Sequence, residues 1–232
     1  RGMWALSYAI NLILEEKGKK DCNLWLPEYF CREPLDLLSK SKISFCFYPI
    51  KKNLSPDWEK FQKIANDNPP SIFVLVHYFG FLSPVKDAKN FCKKYNAEII
   101  EDAAHSLLPM KGMGENITIY SPRKILPIPE GGLLFLPRGF NNDIRIEDLS
   151  TGFIVIISWI LRTLIKKALI FLNISWHKHW RGKQKSVNEI SQVVLPNIIS
   201  LRMLNLLEED LDSIAKKRRD NYVMLYDRIL QF

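Results

Sequence analysis

The chain alternates between two hydrophobic periods over its first 137 residues. Residues 4–17, 28–39, "SPDWEKFQKIAND" and "SPVKDAKNFCKKYN" place apolar side chains at helical spacing. Between and after them lie short runs that are mostly apolar: "NLWLP", "ISFCFYPI", "SIFVLVHYFG", "AEIIEDAAH", Ile117–Tyr120 and 132–136. A continuous apolar run such as "SIFVLV" predicts a strand covered on both faces, the parallel-sheet type. The two Ser-Pro pairs predict helix starts, the first with Ser55 as cap, Pro56 in the first helical position and Glu59 in the first turn.

Helices alternating with strands predict an α/β fold, a three-layer sandwich with a mostly parallel sheet, over residues 1–140. After Pro137 the alternation stops. "RGFNNDIRIEDLSTG" reads as a connecting loop with a boundary at 139–152, and 141–232 as a helical segment ending in "NIISLRMLNLLEEDLDSIAKKRRDNYVMLYDRIL". The most apolar stretch of that segment is free of charge only over 149–161, before Arg162, Lys166 and Lys167 interrupt it. A membrane-spanning helix needs roughly 20 such residues. The pattern predicts either a packed amphipathic helix pair or a helix lying on a membrane surface across 153–185.

Composition narrows the class. With 47% hydrophobic residues among 232, the chain can bury a sizeable core. Its four cysteines include no C-x-x-C pair, which suits a reducing cytoplasm better than a disulfide scaffold or a zinc site, and no metal is expected. The chain begins at Arg1 without a secretory signal pattern and ends at Phe232 without a closing signal, so it reads as a fragment. The net charge of +8 draws on 166–185 and "KKRRD", mostly as solvated helix faces. "WHKHWRGKQK" mixes cations with aromatic rings, but no nucleic-acid reader motif accompanies it, and no nucleic-acid partner is expected.

Ligands of open parallel sheets bind beyond the carboxyl ends of the strands. Those ends carry Tyr29 and Phe30, His77 and Tyr78, Asp102 and His105, and Ser121 and Lys124, while Gly2 opens the first helix. An amine, a buried carboxylate, rings and a helix start suit pyridoxal phosphate (PLP): the amine for its aldehyde, the carboxylate for its pyridine nitrogen, the helix start for its phosphate. Each residue also has a plainer reading. Lys124 can be solvated, Asp102 can cap the segment from Ala103, His77 can be a hydrogen-bonded histidine at the core edge, and Tyr29 and Phe30 can simply pack.

"VLVHYFGF", "AEIIEDAAHS" and "YSPRKILPIPEGG", in that order, resemble the DegT/DnrJ/EryC1/StrS family of PLP-dependent aminotransferases. Its members carry V-H-x-x-G, then E-D-A-A/C-Q/H, then a lysine shortly before a Gly-Gly pair. "GMWALSYAINLIL" is similar to the family's G-T-x-A-L helix start, and the resemblance covers roughly 2–137. It implies the large domain of PLP transferase fold type I, with Lys124 as the Schiff-base lysine and Asp102 on the pyridinium nitrogen. It further implies His105 near the phenolic oxygen, Ser121 and the Gly2–Met3 helix start at the phosphate, Tyr29 or Phe30 over the ring, and His77 among the cofactor-binding residues. The implied reaction moves an amino group from an amino acid to a keto acceptor, a nucleotide-linked keto sugar being the acceptor class, in a cytoplasmic homodimer. Met3 stands where the family commonly has a hydroxyl, Arg1 where serine is common, and Asn116 where aspartate is usual. These departures leave open a relative that serves as a partner or regulator without turnover.

Overall fold

A computed structural model of the chain describes residues 2–39, 42–106, 114–140, 153–172 and 198–230. The alternating half runs α1 (Gly2–Glu16), β1 (Cys22–Pro27), α2 (Arg32–Leu38), β2 (Ile43–Tyr48), α3 (Trp58–Asp67), β3 (Ile72–Val76), α4 (Val85–Tyr95), β4 (Glu98–Asp102), β5 (Ile117–Tyr120) and β6 (Leu133–Phe135). Six strands form one sheet in the order β2-β1-β3-β4-β5-β6. The first five are parallel, and β6 returns antiparallel to β5. Because β2 and β3 flank β1 on opposite sides, the sheet reverses its direction of growth between β1 and β3, where α/β folds open a ligand crevice.

The strand period sorts the core into two layers. Leu24, Leu26, Ile72, Val74 and Ile100 pack on one face with Leu6, Ile10 and Ile13 of α1. Trp25, Phe73, Leu75 and Ile99 pack on the other with Phe61 of α3 and Ala88 and Cys92 of α4. All five residues of β3 are buried, as its unbroken apolar run requires with helices on both faces. The three-layer expectation holds.

Several local expectations do not. Helix α3 begins at Trp58 behind Asp57, not behind Ser55. The Ser55 hydroxyl instead donates to Asn53 Oδ1 at 2.7 Å, in a turn where Leu54 takes a φ of 66°. Asp57, at the true start, pairs with Lys60 at 2.9 Å. Ser83 likewise does not cap α4: its hydroxyl donates to the Val76 carbonyl at 2.6 Å. Helix α2 is confined to Arg32–Leu38, which frees residues 28–31 to form a rim.

Beyond the sheet, α5 (Phe153–Phe171) is followed by α6 (Ile198–Glu208) and α7 (Leu211–Ile229). The stretch read as one terminal helix is therefore two. The loop and boundary expected at 139–152 fall largely, and the basic aromatic stretch 176–185 wholly, outside the described residues. Among the described residues no helix is long and apolar enough to cross a membrane.

Candidate cofactor site

Successive strand residues point to opposite faces, so register decides which side chains meet beyond the sheet edge. Val76 of β3 packs on the α1 side, and Tyr78 lies two residues on. β4 sends Ile100 and Asp102 to that side, with Ala104 next in phase, and β5 sends Ile117 and Ile119, with Ser121 next in phase. Val76, Tyr78, Asp102 and Ala104 line a cavity of about 320 Å³, with Tyr29, Phe30, Cys31, Phe79, His105 and Lys124 completing its wall. That volume suits a small ligand (roughly 300–1,000 Å³). A smaller cavity toward α1 shares Phe30, Asp102 and Lys124 with it and adds Gly2, Met3, Ser121 and Arg123.

Lys124 closes a 3₁₀ turn, Pro122–Lys124, directly after β5. Its N–H donates to the Ser121 carbonyl at 2.9 Å, and the Leu126 N–H to the Pro122 carbonyl at 2.7 Å. With Pro122 buried, these bonds hold the lysine backbone at the cavity wall. Arg218 of α7 donates to the neighbouring Ile125 carbonyl at 3.0 Å. Gly131, at a φ of 142° open to glycine but strained for other residues, turns the chain so that Leu133 pairs with Tyr120 in β6.

The Lys124 amine lies 3.2 Å from His105 Nε2. On the far side of that imidazole, the Phe79 N–H donates to Nδ1 at 3.3 Å, and the Phe79 ring stacks on it with centroids 5.7 Å apart and planes 9° from parallel. Burial lowers the His105 pKa, the Lys124 charge lowers it further, and Asp102 offsets part of the shift, so the ring favours its neutral form. Asp102 accepts the Ala104 N–H at 2.9 Å. Burial raises its pKa, against the pull of that hydrogen bond and of Lys124, His105 and His77. At the rim, the Tyr78 hydroxyl donates to the Tyr29 carbonyl at 2.6 Å and the two rings stack at 5.7 Å.

Gly2 opens α1 against Ser121. A Cβ there would sit 3.1 Å from Ser121 Cβ and 3.3 Å from its Oγ, so only glycine leaves the gap free. Backbone N–H groups of the first helical turn lack intrahelical partners and favour an anion. An anion-receiving helix start, an amine and a desolvated carboxylate on one cavity make a donor set that fits the phosphate, aldehyde and ring nitrogen of PLP. Among the described residues, no three His, Cys, Asp or Glu side chains are grouped to hold a metal ion.

The structure thus brings Gly2, Met3, Phe30, Asp102, His105, Ser121 and Lys124 onto two cavities that share Phe30, Asp102 and Lys124, with Tyr29 at the rim, 62% exposed. His77 is placed elsewhere. One residue out of phase with Val76 and Tyr78, it is fully buried: its Nδ1 accepts the Ser83 N–H at 3.1 Å, leaving Nε2 to donate to Glu101 Oε2 at 2.8 Å. Asn116 donates to the other Glu101 oxygen at 2.7 Å. His77 and Asn116 therefore belong to a buried polar network behind the sheet, and neither lines the cavity. Arg1 lies outside the described residues. Phe79 and Arg123 join the site without having been expected. Strand phase favours Tyr78 over His77, but Phe79 reaches His105 through a φ of 55° that no strand period encodes.

No protein-family model matches the chain, and no curated protein matches it in sequence. Solved structures do. A PLP-bound protein from Clostridium difficile 630, assigned as an aminotransferase, is 18% identical with a TM-score of 0.55, over 96% of this chain and 55% of its own. DesV from S. venezuelae is 15% identical with a TM-score of 0.54, over 91% and 51%. A DegT DnrJ EryC1 StrS aminotransferase from Brucella abortus is 16% identical with a TM-score of 0.50, over 73% and 52%. The chain thus spans about half the length of each. At these identities the likeness is one of fold, and the α/β fold of this chain is the one these structures share.

Proposed function

We propose that this chain is the cofactor-binding part of a PLP-dependent aminotransferase. The observation that carries the reading is the convergence of the Lys124 amine, the His105 imidazole 3.2 Å from it and the desolvated Asp102 carboxylate on one cavity at the strand ends. When bound, PLP supplies an aldehyde that an amine can capture and an aromatic ring that takes up electron density. Lys124 is the amine within reach. Asp102, its charge disfavoured by desolvation, would bind a protonated ring nitrogen and be held ionised by it. Gly2, Ser121 and the start of α1 would take the phosphate. His105, neutral and next to Lys124, is placed to exchange a hydrogen bond with the amine as it gives up and takes back a proton. Phe30 and Tyr78 line the walls, and Phe79 stacks on the His105 ring.

The donor in this reading is an amino acid and the acceptor a ketone. A nucleotide-linked keto sugar is supported by the sequence resemblance alone, since no cavity residue selects a hexose. Tyr29 and Phe79, 62% and 63% exposed at the cavity wall, support a homodimer in which a second copy closes the site. Met3, an apolar side chain in the cavity for the phosphate, is the observation that favours the alternative of a binding-competent relative without turnover.

Loading the protein with PLP, reducing it with borohydride and mapping the adduct by mass spectrometry tests the reading. A visible band that becomes a stable label on Lys124, absent in a folded Lys124→Ala, is expected. Labelling that ignores Lys124 would remove the proposal. With labelling in hand, an amino-acid donor that bleaches the band supports turnover, and a band inert to donors selects the binding-only alternative.

A further inference from the structure

Helix α5 is oriented against its own amphipathicity. Its residues Phe153–Phe171 include no Asp or Glu, and its cations are Arg162, Lys166 and Lys167. At about 100° per residue, Ile157, Ile160, Leu161, Leu164, Ile165 and Phe171 fall in one sector roughly 140° wide that holds no polar side chain. A packed helix would bury that sector. Here those six are 44–90% exposed. The buried residue is Ile156, 4% exposed, which lies outside that sector with the half-buried Trp159 and Thr163. The helix thus leans on the protein through its mixed side and turns its clean apolar face outward.

We infer that α5 is a docking helix for an anionic lipid surface, its apolar face sunk into the acyl boundary and Lys167, at the border of that face, beside the headgroups. An exposed, continuous apolar face with cations and no acid on the same helix is complementary to lipid that is apolar within and negative at its surface. The cations interrupt the apolar stretch and prevent spanning, and no described helix is fit to span. A second copy of the chain is a poorer occupant, because α5 carries no acid to meet the cations outside this face. The inference does not depend on the cofactor reading, because no cavity residue takes part.

The 232-residue protein is sedimented with vesicles of phosphatidylcholine alone and of phosphatidylcholine with phosphatidylglycerol. Binding to the anionic vesicles is expected, weakening with salt. Lys167→Gln should reduce it about fivefold. Leu161→Asp with Leu164→Asp should abolish it while helix content by circular dichroism stays at the wild-type level. Absence of binding to anionic vesicles, or equal binding by wild type and both variants, overturns the inference. So does a lipid-free dimer that the double aspartate variant dissociates when no vesicle binding accompanies it, because the face would then belong to a second copy.

Discussion

Phe73 in β3 and Leu164 in α5 are both apolar residues in apolar runs, yet Phe73 is fully buried and Leu164 is 58% exposed. The strand has α1 on one face and α3 and α4 on the other, whereas α5 is covered on its mixed side alone. Apolar content therefore means different things in the two regions. In the sheet it is converted into stability, at about 25 cal/mol per Å² of surface withdrawn from water. In α5 much of it remains as surface, available to whatever the helix meets.

The sharpest way to break this comparison is to truncate one residue on each side. Phe73→Ala should lower unfolding stability by about 3–5 kcal/mol, through lost burial and the cavity left among Trp25, Tyr48 and Phe61. Leu164→Ala should stay within about 0.5 kcal/mol. Urea unfolding of the two variants decides it, and equal losses would mean that α5 is packed as tightly as the sheet.

A single methyl group gives the next contrast. Gly2→Ala places a Cβ against Ser121 and should weaken PLP binding about tenfold, some 1.4 kcal/mol, with little change in unfolding midpoint. Ala168→Leu on exposed α5 adds more carbon and should leave PLP affinity unchanged; spectroscopic titration of both compares them. The smallest effect is electrostatic. Because burial raises the Asp102 pKa, the folded chain keeps that proton at pH values where the unfolded chain has released it, so Asp102 makes stability fall as pH rises above the ordinary carboxylate range. Asp102→Asn should remove this component, gaining on wild type in urea midpoint as pH rises above about 4 in the cofactor-free protein. A difference that does not change with pH would show that the carboxyl is well solvated.

How much of the site was legible follows from the kind of signal each residue carries. Asp102 and Lys124 could be named because they follow apolar runs whose ends are the strand ends. His77 follows such a run too, but one residue out of phase, and its ring is claimed by Glu101 and Ser83. Attention to strand phase would have separated His77 from Tyr78. No such rule reaches Phe79, whose direction depends on a left-handed backbone turn, or Asn116, whose partner is a buried glutamate fifteen residues away. Ser55 shows the same limit on a smaller scale: Ser-Pro fits a helix start, but Asn53 was nearer to hand for the hydroxyl.

By itself, the sequence determined the alternation of helix and strand, the burial of β3 on both faces and the placing of Lys124 and Asp102 at the sheet edge, because these depend on period and order along the chain. Only the tertiary structure decided that His105 meets Lys124, that Gly2 abuts Ser121, that His77 turns to Glu101 and that the clean face of α5 looks outward. Each of these is a contact, or a missing one, between segments far apart in the chain. Residue periodicity says which side of an element is apolar; the packing of other elements decides what lies against it.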